Sequence, residues 1–310
     1  MPNLLTLTRR QGANRALIEQ EVTPAGYTLS FAQEPVLVAG FRTMVRSVDY
    51  DVAELALTTY LTAKEHGAPF TALPIFLVRD LHHGATQVLR DGPINTPRDL
   101  AGGLVGVNRG YTVTTGVWGR AALAARGLDL ASVTWIRSGT EHVESYAPPP
   151  NVFSAPQGRS LAELLLAGEL DAVVGAAIDH PHVVPLIRDP DETGLAELRR
   201  TGVFPINHLV VVKDELLTRD PGIAGSLFDA FAEAKRRYVQ RLSDGLADSR
   251  QDRLLGRILA ETGTDPLPYG LEPNRATLEQ LMSHALDQRI LTRAAPLEDL
   301  FAPGTLGLRG

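Results

Sequence analysis

Within the twenty residues from Phe41 to Tyr60, FRTMVRSVDYDVAELALTTY, the chain places two arginines, a carboxylate and two hydroxyls in close succession. Arg42 and Arg46 are four apart, so a helix would carry both on one face, as a joint anion clamp or as an ordinary solvated basic face. Glu54 interrupts an apolar run, Asp51 to Leu57. A carboxylate in such surroundings must find a partner or change its ionisation, so it is either ion-paired for structure or poised for chemistry. Thr58 and Thr59 follow where the pattern opens a second helix, and a helix N-terminus with hydroxyls beside two guanidinium groups suits an anion.

Histidines supply the groups that titrate near neutrality. His82 and His83 follow Arg79 at the end of an apolar run, a place where α/β proteins put ligand-contacting loops. Adjacent side chains on extended backbone point in opposite directions, so one of the two histidines is expected at the site and a metal pair is not. His208 opens the run FPINHLVVV, either as a core histidine bonded to backbone or as a proton donor or carboxylate ligand. Asp179-His180-Pro181-His182 follows another apolar run; His-Pro-His in a turn is loop chemistry rather than a metal site, which leaves Asp179 and His180 as candidate cleft residues. Tyr111, Thr112 and Thr115 lie at a helix start whose backbone amides and hydroxyls could hold a carboxylate or could simply cap the helix.

Other chemistries are excluded by what the chain lacks. There is no cysteine, hence no disulfide, thiolate nucleophile or sulfur-bound zinc. Walker A, HExxH, GxSxG and Rossmann glycine signatures are missing, and Gly102-Gly103-Leu104-Val105-Gly106 reads as a turn entering a strand. A net charge of −6 with mixed signs gives no footprint for nucleic acid or a polybasic membrane patch. A small molecule is the expected partner. The N-terminus shows no secretory signal pattern and no segment is long and apolar enough to span a bilayer, so a cytoplasmic protein is expected.

The elements that must position these residues alternate. Short apolar runs at Leu4–Thr8, Tyr27–Phe31, Val52–Leu57, Thr71–Val78, Thr86–Leu89, Leu104–Val107, Val133–Ile136, Ala172–Ala176 and His208–Val212 are separated by helical patterns such as Val38–Val45, Tyr111–Arg126 and Leu161–Leu166. The pattern predicts an α/β architecture of mixed, mostly parallel sheets with flanking helices. Residues 105–207 behave as an insert, so residues 1–104 and 208–310 form one discontinuous lobe and 105–207 a second, with a hinge and a ligand cleft between them. The Pro-rich segment 145–159 is predicted as loop, and Gly222–Leu242, Arg250–Thr262 and Arg275–Ile290 as a helical C-terminal part.

Taken together, FRTMVRSVDYDVAELALTTYLTAKEHG, ALPIFLVRDLHHGATQVLRDGPINTPRDLAGGLVGVNRGYTVTTGVWGRAAL and FPINHLVVVKDEL resemble the 4,5-dihydroxyphthalate decarboxylase family, enzymes on the type II periplasmic-binding-protein fold. The likeness runs in order through residues 27–245. Gly84, Leu81-His82 and Asn207 depart from the family's usual serine, Phe-Arg and methionine. The resemblance implies a non-oxidative carboxy-lyase in aromatic catabolism that converts 4,5-dihydroxyphthalate to protocatechuate and CO2. It implies Arg42, Arg46 and Arg79 as carboxylate anchors, His83 and His208 as acid and base, and Glu54 orienting one of them. No cofactor or metal is needed for so activated a ring, and a homo-oligomer is left open. The alternative is a solute-binding or ligand-sensing protein for an aromatic carboxylate, because one fold serves both.

Overall fold

The computed structural model describes all residues 1–310. In chain order the elements are β1 (Asn3–Leu7), α1 (Arg15–Ile18), β2 (Thr28–Phe31), α2 (Leu37–Ser47), β3 (Val52–Ala56), α3 (Leu57–Glu65), β4 (Phe70–Arg79), β5 (Thr86–Leu89), β6 (Leu104–Val107), α4 (Thr114–Ala124) and β7 (Thr134–Arg137). There follow β8 (Val152–Ser154), α5 (Leu161–Leu166), β9 (Ala172–Val174), β10 (Val183–Pro185), α6 (Pro190–Thr201), β11 (Ile206–Lys213), α7 (Asp214–Arg219), α8 (Gly222–Ser243), α9 (Arg250–Thr262) and α10 (Arg275–Asp287). The chain is α/β and divides into two compact units, residues 1–80, 206–279 and 295–310 in the first and residues 81–205 and 280–294 in the second.

The first unit holds a five-stranded sheet of order β2-β1-β3-β11-β4. β1 pairs in parallel with β2 and β3, whereas β11 runs antiparallel to both β3 and β4. β3 is therefore interior to the sheet, and all five of its residues are buried. Ile75, Leu77, Val210 and Val212 pack with Leu227, Phe228 and Phe231 of α8, which fixes that long amphipathic helix on the sheet. Pairing of β11 with β4 slips repeatedly between Ile206 and Val210. Such bulges bend a strand and re-aim a side chain, and this one falls on His208.

The second unit holds a six-stranded sheet of order β10-β5-β9-β6-β7-β8. β6, β7, β8 and β9 are joined by parallel pairs, and β5 is antiparallel to both β9 and β10. Its core gathers Leu161, Leu164, Leu165, Leu170 and Val173 between α5 and the sheet.

Several boundaries differ from the sequence expectation. The chain first passes into the second unit after Asp80 rather than near Leu104, because β5 pairs with β9 and β10. Residues 280–294 return to the second unit, so the chain crosses between units more than twice. Segment 145–159 is not all loop, since β8 adds to β7 there. The sheets are mixed and mostly parallel, as expected: only β11 in the first and β5 in the second run against the other strands of their sheet.

Candidate active site

Glu54 and His208 meet inside the first sheet. Val210 stands directly opposite Glu54 on the neighbouring strand, so His208, two residues back, is the diagonal neighbour on the same face. Glu54 Oε1 lies 2.6 Å from His208 Nδ1. The other carboxylate oxygen, Oε2, accepts from the Thr8 hydroxyl at 2.6 Å, the Arg9 backbone N–H at 3.2 Å and the Gln11 side-chain amide at 3.4 Å. Burial pushes the Glu54 carboxyl up, yet His208, Thr8 and Arg9 outweigh it and hold the group below the usual carboxylate range. An ionised carboxylate only accepts, so Nδ1 of His208 carries the hydrogen and Nε2 is the nitrogen left for chemistry. The edge of the Phe41 ring meets the imidazole at 5.2 Å and 87°, which fixes the ring plane.

Phe41 reaches His208 because α2 sits close to the sheet. Gly40 makes that approach possible: a Cβ there would lie 2.6 Å from the Leu7 side chain. Arg42 and Arg46 follow on α2, Arg42 half-buried and Arg46 exposed. Nε of Arg42 is shut off from solvent and has no hydrogen-bond partner. Thr58 and Thr59 lie in the first turn of α3 and are fully buried. Arg79 is placed otherwise than an anchor requires. It is 2% exposed, donates to Asn274 Oδ1 and lies over the Phe76 ring, and burial pushes its guanidinium down to about 10.

The remaining expected contacts belong to the second unit. His83 Nε2 lies 2.8 Å from Glu197 of α6, and its Nδ1 is buried without a partner. A cavity of about 70 Å³ adjoins it, bounded by Trp118, His284 and Pro205. Burial pushes the His284 imidazole down. The Gly110–Thr115 segment does not present open amides: Glu141 accepts the N–H of Tyr111 at 2.7 Å, the N–H of Thr112 at 3.1 Å and the Thr112 hydroxyl at 2.8 Å. α4 starts only at Thr114, so Tyr111 and Thr112 precede it and Thr115 lies in its first turn. Asp179 is exposed, beside a turn in which the His182 N–H donates to His180 Nδ1.

Sequence reasoning missed the loop after β1. Asn14, 0% exposed, donates to Thr8 Oγ1 at 2.8 Å and to the Arg9 carbonyl at 2.9 Å, and accepts the Gln11 N–H at 3.0 Å. Gly12 lies against the ring of Tyr238 from α8, where a Cβ would overlap it. Tyr238 in turn donates to Asp252, which closes the capping box of α9. A cavity of about 560 Å³ borders this loop and is lined by Arg9, Gln11, Asn207, Tyr238 and Gln251. Asn207 lines it and His208 does not, as side-chain alternation along β11 requires. Thr8 and Asn14 are an ordinary strand end and turn in sequence; only the fold brings them to Glu54.

Comparison with known proteins shows the family of the chain. A 4,5-dihydroxyphthalate decarboxylase of Comamonas testosteroni is 31% identical over 314 aligned residues, which cover 94% of this chain and 94% of that protein. The chain belongs to the 4,5-dihydroxyphthalate decarboxylase family. A Pseudomonas putida protein of the same name is 34% identical over 191 residues, 57% of this chain and 73% of its own length. No family model matches. Among solved structures, a conserved Candida albicans gene product described as having the generic periplasmic binding protein fold superposes with a TM-score of 0.58 at 11% identity, covering 100% of this chain and 99% of that one. The periplasmic aliphatic sulphonate binding protein of Escherichia coli gives 0.56 at 13% identity, with 97% and 92% covered. The decarboxylase family member is thus periplasmic-binding-protein-like in fold, and none of its helices is long and apolar enough to cross a membrane.

Proposed function

We propose that the chain is a carboxy-lyase that removes one carboxylate from a hydroxylated aromatic dicarboxylate, 4,5-dihydroxyphthalate, to give protocatechuate and CO2, with Glu54 and His208 as its acid–base pair. The observation that carries the site assignment is the 2.6 Å contact between a buried, ionised Glu54 and His208 Nδ1, which leaves Nε2 as a base. Family membership supports the reaction. The ring hydroxyl para to the departing carboxylate loses its proton to Nε2. The carbon bearing that carboxylate gains a proton, and the bond to the carboxylate breaks with its electron pair returning to the ring as CO2 leaves. One proton is consumed per CO2 released. The retained carboxylate is assigned to Arg42, whose buried Nε lacks a partner, together with Arg46 one helical turn on.

The test is incubation of the purified protein with 4,5-dihydroxyphthalate, following protocatechuate by chromatography and CO2 by isotope release. Binding without product would replace the enzyme reading with that of an aromatic-carboxylate-binding protein. His208→Ala should lower turnover far more than affinity. His83 keeps its proposed proton-transfer role only if His83→Ala behaves in the same way.

A further inference from the structure

The Glu54 carboxylate is not held by His208 alone. Every hydrogen-bonding group of the Asn14 amide is engaged within its own loop, with Oδ1 facing the Gln11 N–H and Nδ2 facing both Thr8 Oγ1 and the Arg9 carbonyl. That fixes the orientation of the amide. Thr8 Oγ1 accepts from Asn14, and of the two acceptors within reach of its own hydrogen, the Arg9 carbonyl at 3.3 Å and Glu54 Oε2 at 2.6 Å, the carboxylate is the nearer and is charged. Oε1 then has His208 Nδ1 to itself. The four groups form one chain that converges on the carboxylate: Asn14 donates to Thr8, Thr8 donates to Glu54 Oε2 and His208 Nδ1 donates to Oε1, so three of the four residues come from outside β11.

We propose that Thr8 and Asn14 are positioning residues that keep Glu54 an acceptor and thereby keep the working nitrogen of His208 at Nε2. The proposal rests on the reading of His208 as the acid–base group. Its physical basis is the opposition of two effects at Glu54. Burial favours the neutral acid, whereas the donors on Oε2 and the imidazole favour the anion. Loss of the Thr8 hydroxyl removes the shortest of those donors. Once the pair takes up one further proton from solvent, a neutral Glu54 can donate to Nδ1 while the ring hydrogen sits on Nε2, and the base is lost from the side where it is needed. Other charged or titratable groups near the pair are Arg9 in the loop after β1, Arg42 next to Phe41 on α2, and Tyr269. Arginines stay cationic throughout, and burial and Asp265 push the Tyr269 phenol up, so none of these three groups exchanges a proton with the pair near neutral pH.

The experiment uses the full chain with Thr8→Val, Thr8→Ser and Asn14→Ala. Imidazole nitrogen NMR of histidine-labelled protein, with His208→Gln to assign the signal, reports which ring nitrogen carries hydrogen without any need for turnover. The wild type and Thr8→Ser should show Nδ1–H at neutral pH. Thr8→Val should shift His208 toward Nε2–H, and the acid limb of its kcat/KM profile should move to higher pH with kcat at least tenfold lower and KM within about threefold of wild type. Asn14→Ala should shift in the same direction by less. An unchanged His208 tautomer and pH profile in folded Thr8→Val would overturn the proposal. Absence of turnover in the wild type would instead sink the decarboxylase reading, and the NMR comparison would still decide whether the chain of donors sets the tautomer.

Discussion

Replacing Glu54 with glutamine is the sharpest perturbation this arrangement offers, because it keeps the shape and removes the charge. Three donors converge on Oε2, from Thr8, Arg9 and Gln11, so the new amide must turn its oxygen toward them. Its NH2 group then faces His208 Nδ1, which can meet it only as an acceptor. The ring hydrogen is driven to Nε2, the opposite of the arrangement in which Nε2 is a base. The loss can be bounded in two ways. At about 4 Å between charge centres and an effective dielectric constant of about 20, attraction within an ionised carboxylate–imidazolium pair is about 4 kcal/mol. That corresponds to about three decades in rate at 1.36 kcal/mol per decade. General acid–base contributions span about 10² to 10⁴. We therefore expect kcat of Glu54→Gln to fall by about 10³, with KM changed by less than about threefold because the arginines on α2 are untouched. Stability at neutral pH should fall by about 1–3 kcal/mol, because the amide cannot replace the charge-assisted hydrogen bonds that the carboxylate accepts. Initial rates of protocatechuate formation measure the effect, with circular dichroism confirming the fold. A folded variant that retains kcat within about threefold of wild type would refute the assignment of Glu54 and the tautomer argument with it.

Other expectations follow from single contacts. Arg42→Ala should raise KM by about ten- to a hundredfold, the value of one or two charge-assisted hydrogen bonds, with kcat nearly kept; an unchanged KM removes Arg42 from substrate binding. Glu141→Ala leaves the amides of Tyr111 and Thr112 and the Thr112 hydroxyl without their buried acceptor. It should cost about 2–4 kcal/mol in urea unfolding, and a loss below about 0.5 kcal/mol would contradict the role given to that carboxylate. Arg79→Met should lower the unfolding midpoint without raising KM, because Arg79 is bonded to Asn274 within its own unit; a large rise in KM with unchanged stability would restore it as an anchor. Glu54 is ionised in the fold below its ordinary value of 4.5, so its stabilisation is present above that pH and is lost as pH falls through the lower folded value. Urea unfolding between pH 3 and 6 should accordingly show a steeper acid slope for wild type than for Glu54→Gln, by at most about 1.36 kcal/mol per pH unit; equal slopes would show that Glu54 is not held ionised.

How far the sequence carried can be seen at particular residues. Glu54 stood out because a carboxylate inside VAELA cannot be solvated, and His208 because it opened an apolar strand. Their meeting needed the antiparallel register of β11 on β3, which periodicity does not encode. The short helix, strand and second helix of 41–60 were legible, with α2 running one residue before and two beyond the expected Val38–Val45. The anion-binding expectation for Tyr111 and Thr112 failed to foresee an internal occupant, since Glu141 comes from about thirty residues on. Arg79 looked like a cleft residue from its place at a strand end, but Asn274, 195 residues away, claims it. The passage of the chain between units was misplaced for a related reason: β5 is four residues long, and only its partners reveal which sheet it joins.

The loop after β1 bears on how such a sequence can drift. Gly12 lies against the Tyr238 ring with no room for a Cβ, and that ring is tied to the start of α9 through Asp252. A side chain at position 12 would push the loop off α8 and carry Thr8 and Asn14 out of reach of Glu54. Bulk at 12 is therefore tolerable only where bulk at 238 has been given up, and the spacing Thr-x3-Gly-x-Asn followed by an acidic residue in an apolar strand should be inherited or abandoned as a block. On the proposed roles of Glu54 and His208, that block is a more discriminating marker for sorting catalytic from merely ligand-holding chains of this fold than the arginines, which any anion-binding member could carry.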